Sequence, residues 1–278
     1  MSNPLPLRPL GLGDRRDTEK FLLQSPVENL FLLGVIEEHG MLPGFFGAFE
    51  KGALRALLFV AGGRSGVPYV PEPATFRGWG AMANALRAGG RLVGASAAVE
   101  PLWAALRDKL GRPSPVLDRP QKLYNLENGE LRRRATSELR AATARDLESV
   151  VRAHSGMVLE DEGYDPQKLA PERFRRSIMA RIERGRVFIA EKGGQTLFKV
   201  DLSARCRHGA QFAGVYTDPD HRRRGIAARC LADLAGRLLG ECPRVTLHVN
   251  QENTPAIRTY ESVGFRPAMD FRMVVLGY

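Results

Sequence analysis

Residues 212–231 combine residue types that suit a phosphate-rich anion. Their pattern predicts a strand, a short loop of small and basic residues, and the start of a helix. A helix start leaves backbone N–H groups unpaired and carries the positive end of the helix dipole, so an anion placed there meets donors and favourable charge. Gly225 and Ala227 let a bulky phosphate approach the main chain, because they have little or no side chain. Positive charge at the same place comes from Arg222, Arg223 and Arg224. We interpret the loop as a pyrophosphate cradle.

The pattern Arg222-x-x-Gly225-x-Ala227 resembles the Arg/Gln-x-x-Gly-x-Gly/Ala signature of the GNAT superfamily, the acyl-CoA-dependent N-acyltransferases. Three fixed residues alone are a weak signal, but the surrounding sequence strengthens it. Residues 244–265 resemble the family's next strand, its Asn-x-x-Ala helix start and its Tyr-x-x-x-Gly-Phe ending, in the same order. The resemblance implies that the bound anion is the pyrophosphate of coenzyme A and that the cofactor is acetyl-CoA.

The same resemblance implies roles for individual residues. In the family, a strand that diverges from its neighbour pairs with the pantetheine arm and points one N–H at the thioester oxygen, and Val215 and Thr217 match those positions. Asn253 matches a residue that often contacts the cofactor, and Tyr260 matches the tyrosine that gives its proton to the coenzyme A sulfur. The residues implied in cofactor binding are Val215, Tyr216, Thr217, Arg222, Arg223, Arg224, Gly225, Ile226, Ala227 and Asn253.

A general base is the least defined part of this site. An amine must lose a proton to attack a thioester, which directs attention to carboxylates. Three acidic residues occupy the segment between the first helices of the second half, which in this fold borders the acceptor site: Glu160, Asp161 and Glu162. We predict Glu160 and Glu162 as catalytic carboxylates beside Tyr260, although a solvated acidic turn explains them equally well. Asp201 and His208 are further candidates, and proton transfer through water needs no dedicated base.

The length of the chain predicts two lobes, because 278 residues exceed a typical domain of ~100–200. The predicted elements of 139–278 follow the GNAT order, an α/β (α+β) fold with a mixed sheet. The first half has a similar order but lacks an Arg-x-x-Gly-x-Ala pattern, and we read its glycine-rich segment 62–73 as a loop. We therefore predict a degenerate GNAT-like lobe without cofactor at 1–130 and a GNAT acetyltransferase domain at 137–278, similar to bacterial two-lobed acetyltransferases.

Composition limits the partners that we expect. The formal net charge is +10, and the acidic coenzyme accounts for a basic patch, whereas no zinc-finger, RRM or homeodomain pattern points to nucleic acid. No apolar run has membrane-spanning length and no signal peptide is evident, so we expect a cytoplasmic protein without a membrane partner. Cys206, Cys230 and Cys242 show no CxxC spacing, so we expect neither a disulfide framework nor a metal site.

The favoured function is transfer of an acetyl or another short acyl group from its coenzyme A thioester to a primary amine. The acceptor would be a small molecule, an amino acid or a protein, and the transferase a monomer or homodimer. The alternative is a non-catalytic acyl-CoA-binding sensor or regulatory protein. The presence of both the loop and Tyr260 favours the enzyme, because a sensor needs only the loop.

Overall fold

The structure is a computed structural model that describes residues 5–62, 65–132 and 135–276. Helices and β-strands intermix along these residues, which confirms the predicted α/β fold class. Among them, no helix combines the length and the apolar composition that crossing a bilayer requires. Part of the predicted glycine-rich loop, residues 63–64, lies outside the described residues.

Contacts divide the chain into two compact units. Unit 1 contains the chain up to Leu123, His248–Glu252 and the chain from Pro267 onward, whereas unit 2 contains Tyr124–Leu247 and Asn253–Arg266. These units differ from the lobes predicted at 1–130 and 137–278, because two C-terminal segments belong to unit 1. The assignment of those two lobes to family domains stays a prediction.

Unit 1 begins with a strand and two helices, continues with three antiparallel strands, and then alternates helix and strand. Its elements are β1 (Leu7–Pro9), α1 (Arg15–Leu22), α2 (Leu30–His39), β2 (Phe45–Glu50), β3 (Ala53–Ala61), β4 (Ser65–Tyr69), α3 (Trp79–Asn84), β5 (Gly90–Ala95), α4 (Ser96–Lys109) and the start of β6 (Leu117–Glu127). Strand β4 lies in a segment that the sequence predicts to be a loop. Gly66 and Pro68 lower its strand propensity, but the segment still pairs with β3 because its side chains pack into the core.

Unit 2 repeats this order of elements. They are the end of β6, β7 (Arg140–Ala141), α5 (Leu147–Glu162), α6 (Pro166–Leu169), α7 (Pro171–Glu183), β8 (Val187–Lys192), β9 (Gln195–Cys206), β10 (Gly209–Thr217), α8 (Ile226–Leu239), β11 (Arg244–Asn250), α9 (Thr254–Val263) and β12 (Arg266–Leu276). Strand β11 passes into unit 1 after Leu247, and β12 lies in unit 1 from Pro267 onward.

The two units also share a pattern of strand pairing. In unit 1 the order is β1-β2-β3-β4-β5-β12, and in unit 2 it is β7-β8-β9-β10-β11. The only parallel pairs among the described registers are β4–β5 and β10–β11. A parallel pair needs a crossover, which α3 and α8 supply.

Helix α5 is longer than the sequence predicts. We expected the three acidic residues to lie in a segment between two helices, whereas the helix continues to Glu162. It stops at Gly163, whose φ of 79° lies in the left-handed region that ends many helices. Glu160 and Glu162 are therefore residues of the last helical turn, which gives their side chains fixed directions.

Candidate active site

Strand β10 diverges from β11 beyond a short paired stretch. The described pairs run from Ala210↔Val245 to Phe212↔Leu247, while β10 itself continues to Thr217. On its other side β10 stays paired with β9 as far as Thr217↔Phe198. The backbone of β10 beyond Phe212 is thus supported on one edge and open on the other, as the family resemblance implies for a pantetheine-binding strand.

The loop after β10 is held by its own side chains. The Asp218 carboxylate accepts hydrogen bonds from the Asp220 N–H (3.1 Å) and from His221 Nδ1 (2.9 Å). The His221 contact is the main reason that the pKa of Asp218 lies below its usual value. A 3₁₀ turn, Pro219–His221, follows and delivers the chain to the basic residues.

Two left-handed residues bring the chain into α8. Gly225, the residue before the helix, has φ of 72°, and Arg223 has φ of 60°. For a residue with a side chain this conformation costs roughly 1–2 kcal/mol, whereas glycine adopts it freely. Arg223 therefore holds a conformation that glycine would adopt without strain.

These elements enclose a cleft of about 570 Å³. Its size falls within the range of small-molecule sites, roughly 300–1,000 Å³. The predicted residues that line it are Glu160, Val215, Tyr216, Thr217, Arg222, Arg223, Gly225, Ile226, Ala227, Asn253 and Tyr260. Arg224 and Glu162 do not line it; Arg224 instead accepts a hydrogen bond from Arg229 at its carbonyl oxygen (3.1 Å).

An ion pair joins the loop to α5. Arg222 donates to both carboxylate oxygens of Glu160, at 2.8 and 2.7 Å, and to the Thr217 carbonyl oxygen at 3.0 Å. Both side chains are more than two-fifths exposed, so the pair contributes little to stability. Its consequence is geometric. Glu160, predicted as a catalytic carboxylate, is engaged by Arg222, and Arg222 is partly neutralised.

Tyr216 packs its hydroxyl against a glycine of α5. A side chain at Gly156 would place its Cβ 2.8 Å from the Tyr216 oxygen, closer than real contacts allow. The Arg222 guanidinium lies 5.6 Å from the centroid of the same ring. Burial, followed by the charge of Glu160, raises the pKa of Tyr216. The sequence did not predict a role for Gly156, because a single glycine in a helix does not indicate which side chain packs against it.

Tyr260 lies on α9 with its side chain buried against the cleft. Burial is the main cause of a strongly raised pKa, and the negative charge of Asp161 adds to it. The phenol therefore keeps its proton throughout the physiological pH range. A protonated hydroxyl at this place can donate to a leaving group.

One face of α5 adds a cleft residue that the sequence did not assign to the site, Met157. Met157, Glu160 and Asp161 are spaced i, i+3 and i+4, so they share a helix face, and all three line the cleft. This spacing was a readable signal that depended on extending the helix to Glu162. On α9, Thr259 also lines the cleft, and Asn253 caps the helix by accepting from the Ala256 N–H (3.2 Å).

The remaining base candidates lie away from the cleft. Asp201 is buried and forms ion pairs with Lys199 (2.9 Å) and Arg181 (3.0 Å). His208 occupies the turn between β9 and β10. Neither residue lines the cleft, whereas the carboxylates of Glu160 and Asp161 do.

The open strand edge, the helix start with its glycine and arginines, and the buried tyrosine lie together in one cleft, as the family resemblance implies. Residues 154–265 match the model of the "Acetyltransferase (GNAT) family". Residues 154–265 thus form a GNAT-family acetyltransferase domain, and this segment contains every residue predicted for the site. Among curated proteins, no sequence matches this chain.

Solved structures share the fold over the full chain. A GCN5-related N-acetyltransferase from Sphaerobacter thermophilus has a TM-score of 0.60 at 16% identity, covering 100% of this chain and 98% of its own. A GNAT-family acetyltransferase from Colwellia psychrerythraea has a TM-score of 0.58 at 15% identity, covering 97% and 99%. A Drosophila protein reaches a TM-score of 0.69 at 13% identity, covering 98% and 99%. These similarities establish the fold and not the substrate.

Proposed function

We propose that the protein transfers an acetyl or another short acyl group from coenzyme A to a primary amine. The observation that supports this proposal most is the single cleft that joins the start of α8, the open edge of β10 and the Tyr260 side chain. Acyl transfer from a thioester has three requirements, and we propose that each of these three features of the cleft meets one of them. The pyrophosphate needs donors and positive charge, the carbonyl oxygen needs an N–H, and the departing sulfur needs a proton.

The cleft suits coenzyme A at its phosphate end. Gly225 adds no side chain at the start of α8, and Arg223 lines the cleft beside it. The helix has 14 residues, long enough for its N–H groups and dipole to favour an anion. When bound, the coenzyme supplies an activated acyl group. The chain supplies orientation, an oxyanion donor at Val215 and a proton at the Tyr260 oxygen.

Proton removal from the amine is proposed to run through the acidic end of α5. Glu160 is tied to Arg222, so in our proposal it positions the loop and does not accept the proton directly. Asp161 lines the cleft and lies near enough to Tyr260 to raise its pKa. We propose that Asp161, or water bound beside it, accepts the proton and that it favours a cationic acceptor. Glu162 stays a predicted catalytic carboxylate whose side chain lies outside the cleft.

The wider partners remain those that the sequence predicts. We propose an amine acceptor that is a small molecule, an amino acid or a protein, with no nucleic-acid or membrane partner, and a monomer or homodimer as the working form. The cleft residues all belong to unit 2, so this unit alone holds the proposed chemistry.

Calorimetric titration with acetyl-CoA tests the proposal directly. We expect one site per chain, followed by release of free thiol when a panel of primary amines is added. Two sites would show that unit 1 also binds the coenzyme. Absence of binding would exclude the acetyl donor, and binding without turnover on any amine class would favour the sensor alternative.

A further inference from the structure

A cluster of charged and polar side chains lies beneath the bulge of β10, with two members buried, Lys199 and Asp201, and two half-buried, Arg181 and His154. Lys199 is fully buried, and its ammonium lies 2.9 Å from Oδ1 of Asp201. The other oxygen of Asp201 accepts from Arg181 at 3.0 Å and lies 3.6 Å from Nδ1 of His154. We call Lys199, Asp201, Arg181 and His154 the buried ion cluster. Burying charges is costly, and a chain gains little stability from a buried ion pair compared with apolar residues.

Two basic side chains of the cluster share one carboxylate, Asp201. Burial lowers the pKa of His154 strongly, and the nearby charges of Lys199 and Arg181 lower it further, so the imidazole is neutral. Burial also lowers the pKa of Lys199, while Asp201 opposes that shift by holding the ammonium form. Lys199 and Arg181 therefore face one carboxylate, and that carboxylate is the group that favours the ammonium form of Lys199.

The Lys199 ammonium also contacts the backbone of the bulge. It donates to the Gly214 carbonyl oxygen at 2.9 Å. Gly214 has φ of 55° and lies in the irregularity between Ala213 and Tyr216, where β10 has one more residue than β9. A Cβ on Gly214 would lie 2.8 Å from both the Lys199 nitrogen and an Asp201 oxygen. Only glycine, which has no Cβ, lets the backbone of β10 approach Lys199 and Asp201 this closely.

The contact fixes the direction of the next N–H. In a trans peptide the carbonyl and the following N–H point in opposite directions. Because the Gly214 carbonyl points at Lys199, the Val215 N–H points away from the buried ion cluster, and Val215 lines the cleft. An ammonium on the carbonyl oxygen also polarises the peptide, which strengthens its N–H as a donor.

We propose that Lys199 is a positioning residue for acyl transfer. Its ammonium, paired with Asp201, holds the Gly214 carbonyl and so orients and polarises the peptide that carries the Val215 N–H. This inference rests on the proposed function, in which that N–H binds the thioester oxygen as negative charge develops there. Lys199 touches no substrate, and it acts through one peptide unit.

The test is a pair of substitutions with a matched control. Lys199→Met keeps the length of the side chain and removes the charge, whereas Lys199→Gln retains an N–H donor. Asp233→Asn is the control, because Asp233 is also a buried unit 2 carboxylate with an arginine partner, Arg237 at 2.7 Å, but does not line the cleft. All three are measured for thermal unfolding, acetyl-CoA affinity and kcat.

We expect Lys199→Met to lower kcat by about 10- to 100-fold, since removal of a whole oxyanion donor costs about 10²–10³. Its affinity for acetyl-CoA should change little, because the phosphates provide most of the binding. Lys199→Gln should recover part of the rate. Asp233→Asn should lose stability without losing kcat. A folded Lys199→Met protein that retains full kcat, or that loses rate only in step with stability as the control does, would overturn the inference.

A measurement on the unmodified protein covers the case in which the variants do not fold. The amide ¹⁵N resonance of Val215 should shift between the complexes with free coenzyme A and with acetyl-CoA, because only the thioester presents a carbonyl oxygen. The same resonance in both complexes would overturn the inference. Failure of the proposed function looks different: the unmodified protein would then neither bind acetyl-CoA nor release thiol.

Discussion

Units 1 and 2 each place a helix between two parallel strands, as β4–α3–β5 and as β10–α8–β11, but the strands separate differently. In unit 1, Pro68 of β4 fills the space beside β5. A Cβ on Gly94 would lie 3.3 Å from both the ring and the carbonyl oxygen of Pro68. In unit 2 the bulge at Gly214 turns β10 toward Lys199 and leaves the edge at Val215 open. With the same topology, Pro68 fills the space between the parallel strands in unit 1, whereas in unit 2 a cleft lies beside β10.

The N-terminal ends of α3 and α8 also differ, because one is filled by an aromatic ring and the other is open. Before α3 the ring of Phe76 is buried and contacts Trp79 edge-on, with centroids 4.8 Å apart. A Cβ on Gly78 would lie only 2.4 Å from that ring. Before α8 the corresponding place holds Gly225 and exposed arginines. An apolar ring excludes a phosphate from a helix start, whereas glycine and arginine admit one.

Buried charge separates the units as well. Among the described residues, the buried charged side chains all lie in unit 2: Asp146, Lys199, Asp201 and Asp233. The buried polar side chains of unit 1 are neutral, Thr18 and Asn29. The fold thus tolerates an apolar interior in unit 1, whereas in unit 2 one buried pair, Lys199 and Asp201, lies against the bulge of β10.

The largest expected effect comes from a charge at the start of α8. Gly225→Glu should weaken acetyl-CoA binding by at least about 100-fold, because placing like charges together costs several kcal/mol. Calorimetry measures the affinity. Gly225→Gln has the same shape and strain without the charge, so it should lose clearly less. Gly80→Glu adds the same charge to α3, where the position is open, and should leave binding unchanged. Equal affinity in Gly225→Glu and the unmodified chain would move the phosphate site elsewhere.

Removing the Tyr260 hydroxyl on α9 should lower kcat without changing the affinity for acetyl-CoA. Tyr260→Phe is expected to lower kcat by about 100-fold, the lower end for loss of a general acid, while acetyl-CoA affinity stays nearly intact. The assay compares thiol release with calorimetric binding. Tyr124→Phe is the matched control, since its hydroxyl bonds Glu261 (3.1 Å) outside the cleft and its loss should not change kcat. Proportional loss of affinity and rate in Tyr260→Phe would mean that the tyrosine shapes the site.

The smallest effect compares two equivalent helix starts. Asp14 and Asp146 each cap a 3₁₀ turn, and each pairs with an arginine six positions earlier, Arg8 or Arg140. The Asp146 side chain is 8% exposed and that of Asp14 is 27% exposed. We expect Asp146→Asn to lower the free energy of unfolding by about 1.5–3 kcal/mol, the range for hydrogen bonds to charged groups, and Asp14→Asn to lower it less.

The same pair predicts a difference in acid sensitivity. Hydrogen bonding to Arg140 is the main cause of the strongly lowered pKa of Asp146. A lowered folded-state pKa contributes stability that is complete above the unfolded value, about 3.9, and is lost as the pH falls below it. Denaturant unfolding of the Asp146→Asn variant between neutral and acid pH should therefore show a shallower acid loss. An unaltered pH profile would contradict this expectation.

Sequence alone located much of the site because its signals are local. The Arg222-x-x-Gly225-x-Ala227 pattern, the small residues of the loop and the order of strands and helices follow from neighbouring residues, and the structure brings them to one cleft. The repeat of Leu-Arg followed by Asp at 7–14 and 139–146 was also readable and was missed. The two units share this arrangement, since in each unit the arginine binds the aspartate that follows it by six positions.

What the tertiary structure decided depends on contacts between distant segments. The sequence predicts Glu160 and Glu162 in an acidic segment between two helices. In the structure they lie on the last turn of α5, where Asp161 lines the cleft and Glu160 pairs with Arg222, 62 positions away. Lys199 reads in the sequence as one charged residue of an apolar strand. Its role appears only when the bulge at Gly214 brings a backbone carbonyl within hydrogen-bond distance of its ammonium. Local sequence sets propensities and loop chemistry, whereas strand register and burial decide which charges meet.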